Sequence, residues 1–358
     1  MVTTAEAPSV ETTLEHVQAR IQQSLQELAQ VWQRTAGRQA DVLGERDLPW
    51  LIDHAAGGGK MIRPQMAHWG WVCAGAPPEV HDQVVDLGAA IELLHLFALI
   101  HDDVMDRSEL RRGQATTHAL ARRAHERAQG LGDSTAFGDA IAILAGDLVH
   151  AEAAHLVAGL PRPVRDAWRT MMVELVLGQR RDLTGAALGR RDLAHALEVA
   201  RLKSGAYTVS GPLRMGAILA GGDAEMIGAL ERYAWHVGEA FGLRDDLLGM
   251  WGDPAHTGKS FDDDLSAGKA TVLLALAHDL LSEAGQDLLA RAGSSDLDHD
   301  GLVQLRDEMA RCGVRKAVEQ MVTDEVALAC AQLDTRSISP EGRAGLSDLA
   351  HRIAWRQS

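Results

Sequence analysis

The sequence is poor in cysteine and in aromatic residues. Only Cys73, Cys312 and Cys330 occur among its 358 residues, and they show neither a CxxC nor a Cys/His spacing. A disulfide framework and a zinc site are therefore not indicated, and a reduced, cytoplasmic compartment is the simplest expectation. Aromatic residues make up 4% of the chain, and no convincing alternating strand pattern appears. These deficits argue against an all-β architecture.

The chain also lacks an excess of positive charge. It contains 35 basic and 50 acidic residues, which gives a formal net charge of −15. This charge argues against nucleic acid and an anionic membrane surface as partners. No uncharged apolar run approaches about 18 residues, and the N-terminus lacks a basic start followed by an apolar core, so we expect neither membrane insertion nor export. Binding an anionic substrate would then require metal ions and local cations.

Helical periodicity dominates what is present. Hydrophobic residues make up 46% of the chain and recur at spacings of three and four, as at Val17, Ile21, Leu25 and Leu28. We predict an all-α, single-domain helical bundle over 12–358, with Thr12 or Thr13 capping its first helix, after a disordered segment at 1–11. The predicted helices cover 14–32, 45–56, 63–75, 78–105, 114–130, 138–158, 162–184, 191–205, 206–220, 223–250, 268–290, 301–312, 315–334 and 340–355.

The stretch Glu92–Gly113, ELLHLFALIHDDVMDRSELRRG, organises the functional interpretation. On a helix Asp102 and Asp106 lie about 40° apart, with Asp103 flanking them, so their carboxylates crowd one volume. Hard oxygen ligands suit Mg²⁺, which completes its shell with water and phosphate oxygens. A solvated acidic turn is the alternative, but the apolar residues before the aspartates favour a metal site. A second apolar helix ends in Asp245 and Asp246, which suggests one shared metal cluster.

A glycine-rich basic segment, GGGKMIRP at 57–64, is the candidate anion site. Its glycines allow backbone N–H groups to approach an anion, which Lys60 and Arg63 would neutralise; a basic helix start is an equal alternative. His95, taken alone, is more typical of a satisfied core histidine. Its position seven residues before Asp102, on nearly the same helical face, favours a functional role.

With these motifs the chain resembles trans-isoprenyl diphosphate synthases of the polyprenyl synthetase family, most closely geranylgeranyl diphosphate synthases. The resemblance runs from about Gly57 to Thr271 and implies an isoprenoid-synthase bundle around a central cavity. The motifs, in the family's order, are GGGKMIRP at 57–64, HDDVMDRSELRRG at 101–113, AILAGD at 142–147, GQRRDL at 178–183, KSGAY at 203–207, the 245–253 segment and TGKSFDDDLSAGKAT at 257–271.

The resemblance implies roles for individual residues. Lys60, Arg63, His95 and Arg112 correspond to the isopentenyl diphosphate site, and Arg111 to a ligand of the allylic diphosphate. The further residues implied to bind substrate are Gln179, Lys203, Ser204, Lys259 and Lys269, with Asp182 holding a second-shell water or metal. The implied metal ligands are Asp102, Asp103, Asp106, Asp245 and Asp246. For Asp262–Asp264, between the two lysines, a solvated loop is an equal alternative.

The resemblance also implies a reaction. Three Mg²⁺ ions would make the allylic diphosphate a leaving group, and isopentenyl diphosphate would attack the resulting cation, giving a short-chain prenyl diphosphate. The residues that would act in this step are Asp102, Asp106, Arg111, Lys203, Asp245 and Lys259. Homodimerisation is implied as well. Phe97, beside the small Ala98, resembles the chain-length floor of enzymes with a twenty-carbon product; a farnesyl product is the alternative.

Several positions depart from the family's pattern. Met61 replaces a usual Arg, Gly242 a usual Gln, and Gly249 an aspartate in many members; the loop GKSFDDD lacks a usual proline. These departures leave open a cyclase that ionises one allylic diphosphate, and a non-catalytic subunit of a heteromeric synthase is a third alternative.

The segment DLDHDG at 296–301 matches the first half of a calcium-binding EF-hand loop. Asp307 stands in the place of the closing Glu, which should weaken such a site. The favoured alternative is a loop in which Asp300 caps the next helix.

Overall fold

The computed structural model describes residues 7–37, 41–252, 265, 269–292 and 297–356. Its secondary structure is almost wholly helical, which confirms the all-α prediction. The chain divides into two compact units, Met1–His68 with Pro77–Arg165, and Trp69–Ala76 with Asp166–Ser358. The chain passes between them within α3 (Ile62–Cys73), after Ala76 and within α7 (Arg162–Ala187).

The first unit is organised around α4 (His81–Met105), whose central turns are buried on most sides. It packs against α6 and α1, while α5 and α2 pack against α6. Small side chains such as Ala142, Ala145 and Ala153, all fully buried, allow α6 to approach its neighbours closely. The elements are α1 (Val10–Ala36), α2 (Leu48–Ala55), the start of α3, a 3₁₀ turn (Pro78–Val80), α4 (His81–Met105), β1 (Leu110–Arg111), β2 (Gln114–Ala115), α5 (Thr117–Arg127) and α6 (Ser134–Ala158).

Helix α1 begins at Val10, earlier than expected. Ser9 is the N-cap, and its hydroxyl accepts a hydrogen bond from the Thr12 N–H at 3.2 Å. The cap predicted at Thr12 or Thr13 is therefore wrong, because Ser9 satisfies the free N–H groups of the first turn. Thr13 is instead fully buried and bonds two histidines.

A short hairpin, which the sequence did not reveal, follows α4. Strands β1 and β2 pair antiparallel, with Arg111 opposite Gln114. The two residues between them, Arg112 and Gly113, have positive φ angles of 53° and 76°. This is typical of the type I′ turn, whose twist matches that of the strands it joins. An arginine is an uncommon residue at positive φ, and this explains why no turn was predicted here.

The second unit is organised around α10 (Ala224–Trp251), which packs against α14 (Val314–Gln332), the 200–210 segment, α15 (Pro340–Ala354) and α9 (Gly211–Leu219). Tyr233 at its centre is fully buried and donates its hydroxyl to the Leu346 carbonyl of α15 at 2.7 Å. This hydrogen bond fixes α15 on α10. The elements after α7 are α8 (Leu193–Val199), a π-helical segment (Ala200–Ser210), α9 (Gly211–Leu219), α10 (Ala224–Trp251), α11 (Val272–Leu280), α12 (Glu283–Arg291), α13 (His299–Arg311), α14 (Val314–Gln332) and α15 (Pro340–Ala354).

The helix boundary predicted at 205/206 does not exist, because the chain continues there as a π-helix. Gly205 lies against Gly238 of α10 so closely that a Cβ on Gly205 would come within 3.2 Å of the Gly238 Cα. The two glycines let the backbones touch, and the wider π turn accommodates this approach. π-Helical turns frequently occur at functional sites.

The single helix predicted over 268–290 is two helices in the structure. Helix α11 ends at Leu280, and Ser282 begins α12 by accepting a hydrogen bond from the Gly285 N–H. Helical periodicity continues across the break, so the apolar pattern alone could not locate it.

Two helices are long and apolar enough to cross a membrane, by length and composition alone: Pro78–Met105 and Ser134–Ala158. The sequence expectation counted only uncharged runs and did not identify them. They are α4 with its preceding turn and α6, which pack against each other within the first unit. Buried core helices satisfy the same criterion.

Buried histidines join α1, α3 and α4. The Thr13 hydroxyl lies 3.0 Å from His68 Nδ1 and 3.1 Å from His81 Nε2. His68 is only 1% exposed, and burial, with the neighbouring His81, lowers its pKa to about 4. As the pH falls from the ordinary histidine value of 6.5 towards 4, the unfolded chain takes up a proton before the folded chain does, so stability is lost over that window.

We therefore expect the free energy of unfolding to fall by about 2 kcal/mol from His68 alone between pH 7.5 and pH 5. Urea unfolding of the whole protein at both pH values measures the loss. A His68→Gln variant keeps a hydrogen-bonding group near Thr13 but cannot titrate, so it should lose that much less. Equal losses in the variant and the wild type would contradict the assignment.

Candidate functional site

Three carboxylates lie at the C-terminal end of α4. Asp102 and Asp106 are partly exposed, whereas Asp103 is only 5% exposed. The C-terminal end of a helix carries a negative partial charge, and the last turn of α4 contains no basic residue. The aspartates therefore repel one another and the helix dipole, and they require cations from elsewhere.

Arg111 of the hairpin supplies one such cation. Its Nε donates to both Asp103 oxygens at 2.8 and 3.0 Å, and its Nη2 lies 2.6 Å from Asp103 Oδ1 and 3.8 Å from Asp102 Oδ2. Burial alone would lower the pKa of Arg111, but hydrogen bonding and the charge of Asp103 outweigh it and raise the pKa. The Asp103 carboxylate is therefore engaged by Arg111, which favours Asp102 and Asp106 as the metal ligands at this end.

Arg112 points to the glycine-rich loop before α3. Its Nη1 donates to the Gly57 carbonyl at 2.8 Å and also contacts the Gly58 carbonyl. Gly58 has a positive φ of 78°, which glycine adopts without strain. The adjacent arginines of the hairpin thus bind different partners, and Arg112 brings the 57–64 segment and the hairpin together.

A cavity of about 870 Å³ lies beside this loop within the first unit. Its lining includes Met61, Glu92, His95 and Arg112, together with the apolar and glutamine-rich face of α1. Burial lowers the pKa of His95 well below the ordinary value, and the charges of Arg63, Arg112 and Arg111 lower it further. His95 is thus neutral at pH 7 and able to donate one hydrogen bond to a phosphate oxygen.

Glu92 is an acidic residue within this basic cluster, and it was not predicted to be part of a site. Burial raises its pKa, and the charges of Arg63 and Arg112 partly oppose this rise. Arg63 itself is 8% exposed, whereas Lys60 is exposed. Arg63 and Arg112 therefore act electrostatically on both Glu92 and His95, so three of the four residues expected at the isopentenyl diphosphate site lie close together.

Side chains of two helical segments in the second unit form another ion pair. Asp182 of α7 is 7% exposed, and Lys203 of the π-helical segment donates to its Oδ2 at 2.7 Å. Gly178 lets α7 approach the π-helical segment closely, since a Cβ there would come within 2.4 Å of the Lys203 backbone nitrogen. Gln179 and Ser204, both partly buried, flank the pair in sequence. The predicted residues of two separate motifs are therefore adjacent.

The second acidic motif lies near the C-terminal end of α10. The side chain of Asp245 is 52% exposed and forms an ion pair with Arg356. Asp246 Oδ2 accepts a hydrogen bond from the Val272 N–H at 3.3 Å, at the start of α11. Arg356 was not anticipated, because it lies far from every recognised motif.

The remaining predicted residues lie in, or close to, segments outside the described residues. Lys259 and Asp262–Asp264 lie outside the described residues, and Lys269 is partly buried just before α11. In the DLDHDG segment Asp298, and not Asp300 as predicted, caps α13, by accepting the Gly301 N–H at 3.0 Å. The cap predicted at Asp300 is therefore wrong, because Asp298 already accepts the hydrogen bond from the first turn of α13.

The donor chemistry of the aspartates fits a hard divalent cation, because the groups offered are carboxylate oxygens. In the described part of the chain no group of three or more His, Cys, Asp or Glu is arranged to hold a metal ion. Mg²⁺ typically binds through one or two carboxylates and the phosphates of a substrate, so Asp102 and Asp106 of the first unit suit such a role, and Asp245 of the second unit offers the same kind of ligand.

The departures at Gly242 and Met61 have different structural settings. A Cβ on Gly242 would lie 3.0 Å from the Ala200 Cβ, so α10 packs on the π-helical segment where a larger residue would crowd it. Met61 lines the cavity with a positive φ of 52°, an uncommon conformation for this residue.

Phe97 packs against two histidines that were not predicted to matter. Its ring centroid lies 4.6 Å from that of His101 and 4.9 Å from that of His150 on α6. His101 Nε2 lies 3.1 Å from the Ile143 carbonyl, beside Gly146, where a Cβ would collide with the imidazole. Helix α6 thereby fixes the position of the Phe97 ring.

The model of the polyprenyl synthetase family matches residues 47–306. The chain belongs to this family. Among its relatives it is 34% identical over 281 residues to the geranylfarnesyl diphosphate synthase of Aeropyrum pernix, covering 73% of this chain and 82% of the relative. It is 33% identical over 317 residues to the (2E,6E)-farnesyl diphosphate synthase of Mycobacterium tuberculosis, covering 84% of this chain and 80% of the relative.

A solved structure is also similar over nearly the whole chain. It is the geranylgeranyl pyrophosphate synthase of Corynebacterium glutamicum complexed with isoprenyl diphosphate and magnesium, 33% identical, with a TM-score of 0.86 and coverage of 98% of this chain and 100% of that one. The family and the isoprenyl synthase fold predicted from the motifs are therefore confirmed. The relatives are named for products of different lengths, so the family membership leaves product length undetermined.

The buried Arg111 pair yields a stability prediction. Asp103→Ala leaves the Arg111 guanidinium without its main counter-charge and should lower the free energy of unfolding by about 3 kcal/mol. Asp102→Ala, which removes the longer 3.8 Å contact with Arg111, should cost less than about 1 kcal/mol. Urea unfolding measures both. The double variant Asp103→Leu with Arg111→Met should recover most of the loss, and equal losses in the two alanine variants would count against the pair.

Proposed function

We propose that the protein is a Mg²⁺-dependent prenyltransferase that condenses isopentenyl diphosphate head to tail with an allylic diphosphate. The observation that carries the proposal is the hairpin after α4. Arg111 is directed to the aspartates at the end of α4, while Arg112 is directed to the glycine-rich basic loop. One short element thus connects an acidic site suited to a metal-bound diphosphate with a basic site suited to a second diphosphate.

The basic site binds isopentenyl diphosphate. Lys60, Arg63 and Arg112 neutralise its phosphates, and the neutral His95 donates one hydrogen bond. The low pKa of His95 prevents a further positive charge from accumulating among the arginines. Lys60 is exposed, so its ammonium group is accessible to the substrate.

The acidic site binds the allylic diphosphate through metal. Asp102, Asp106 and Asp245 would hold three Mg²⁺ ions, which supply Lewis-acid stabilisation of the leaving diphosphate when bound. Arg111 keeps Asp103 neutralised and offers its charge to the same diphosphate. Lys203, supported by Gln179 and Ser204, contacts the diphosphate once its pair with Asp182 rearranges, and Lys259 and Lys269 help to withdraw it.

Ionisation leaves an allylic cation, which the double bond of isopentenyl diphosphate attacks. The proton is then lost to the departing diphosphate. The buried apolar residues of α4 before Asp102, among them Leu94 and Leu96, exclude water that would quench the cation. The diphosphate site and the apolar wall therefore belong to one helix.

A product assay tests the proposal with purified protein, Mg²⁺, labelled isopentenyl diphosphate and the five-, ten- and fifteen-carbon allylic diphosphates in turn. We expect label in a prenyl diphosphate, and Asp102→Ala should reduce turnover by about 10³-fold or more, since it removes a metal ligand. The matched control is Asp139→Ala, which removes a carboxylate paired with Arg107.

Two other outcomes would contradict condensation. Release of diphosphate from an allylic substrate without incorporation of label would favour a cyclase, the alternative suggested by Met61 and Gly242. No reaction with any substrate would favour a non-catalytic subunit, whose effect on a partner synthase would survive Asp102→Ala.

We infer a twenty-carbon product from Phe97. The contacts with His101 and His150 hold the ring in one position, about one turn before the aspartates. A fixed ring there closes the path of a growing apolar chain. The C. glutamicum relative, named a geranylgeranyl synthase, supports this length. We also propose a cytoplasmic homodimer, as the family resemblance implies.

Phe97→Ala should lengthen the main product by at least one five-carbon unit, because it opens the space beyond the ring. Chromatography of dephosphorylated products measures the length. Phe137→Ala, which removes a ring of α6 that packs against His125 at a tilt of 42°, is the matched control and should leave the length unchanged. An unchanged product in Phe97→Ala would remove this residue as the floor.

A further inference from the structure

Arg356, just after α15, lies against α10 in the second unit. Its side chain is only 7% exposed. The guanidinium carbon lies 4.2 Å from the centroid of the Phe241 ring, and Nη1 donates to the Ile353 carbonyl at 3.2 Å. Nη2 contacts Asp245 Oδ1 and lies 3.5 Å from the Phe241 carbonyl. Several contacts in different directions therefore fix this guanidinium.

The main chain at Arg356 is held from the other side. Arg244 Nε donates to the Arg356 carbonyl at 2.9 Å, and its Nη2 contacts the same oxygen. Arg244 is the residue directly before Asp245. The two arginines therefore form a clasp. The Arg244 side chain binds the backbone of Arg356, and the Arg356 side chain binds Asp245, the residue after Arg244.

The clasp acts on a carboxylate in an unfavourable position. Asp245 lies near the C-terminal end of α10, beside Asp246, and the last turn of this helix contains no basic residue. The neighbouring carboxylate of Asp246 repels the negative charge of Asp245. Arg356 offsets this repulsion, and a guanidinium does not lose its proton in a protein.

We propose that Arg356 is a positioning residue that holds one oxygen of Asp245 and weakens the affinity of this carboxylate for a divalent cation until a diphosphate is bound. The inference rests on the proposed role of Asp245 as a metal ligand. The fixed guanidinium repels a cation that approaches the exposed part of Asp245. The phosphates of a bound substrate add negative charge and overcome this repulsion, so metal and substrate bind together.

The test uses Mn²⁺ as the probe, with the free ion measured by electron paramagnetic resonance in the absence of substrate. Arg356→Gln should bind one Mn²⁺ about tenfold more tightly than the wild type, because a cation next to the ligand is removed. Arg356→Lys, which retains the charge, should resemble the wild type. The gain should vanish in Arg356→Gln with Asp245→Asn and should shrink when inorganic diphosphate is added.

Unchanged or weaker Mn²⁺ binding in Arg356→Gln, or a gain that persists with Asp245→Asn, would overturn the proposal. Because Arg356 is buried, far-ultraviolet circular dichroism checks the fold of each variant. If Arg356→Gln does not fold, Arg244→Gln releases the same clasp from its other side and should show a smaller gain; no gain there would overturn the proposal as well. Condensation is assayed separately, so an active enzyme with unaltered Mn²⁺ binding would refute this inference alone.

Discussion

Carboxylates at the C-terminal ends of helices have to be neutralised, and much of the described structure meets this requirement. Helix α4 ends in three aspartates and α10 carries two near its end, where the dipole is negative and the last turn contains no basic residue. In each case an arginine from another element compensates: Arg111 of the hairpin for α4, and Arg356 after α15 for α10. Lys203 does the same for Asp182 on α7.

This compensation is partial, and the proposed function depends on it. Arg111 engages the most buried aspartate, Asp103, and leaves Asp102 and Asp106 at the partly exposed surface. In the proposed function these carboxylates attract cations without forming a complete cage, and a substrate diphosphate completes the coordination. The neighbouring cluster around Arg63 and Arg112 has the opposite sign and suits a diphosphate without metal.

Most of the helices could be predicted from the sequence, because their apolar positions recur with helical spacing and their ends carry glycine, proline or serine. What periodicity missed were local backbone features. The hairpin depends on Arg112 at positive φ, the π-helical segment depends on the contact of Gly205 with Gly238, and the break between α11 and α12 depends on one serine cap. None of these leaves an apolar pattern.

The site was predictable to the extent that its motifs were intact. Ordered motifs identified the aspartates, the basic loop and the lysine of the π-helical segment, but they gave no partner for any of them. The pairing of Arg111 with Asp103, and of Arg356 with Asp245, joins residues 8 and 111 positions apart, and such pairings arise only from the fold. The same holds for His150 against Phe97, because the two residues lie on different helices.

The central claim is that one diphosphate is bound by protein cations and the other by carboxylates through metal. Calorimetric titration tests it directly, with isopentenyl diphosphate and a non-reactive thiolo analogue of an allylic diphosphate, each in the presence of EDTA or of Mg²⁺. The account predicts that isopentenyl diphosphate binds in EDTA and loses this binding in Arg112→Gln, whereas the allylic analogue binds only with Mg²⁺. Metal-dependent binding of both ligands, or of neither, would contradict it.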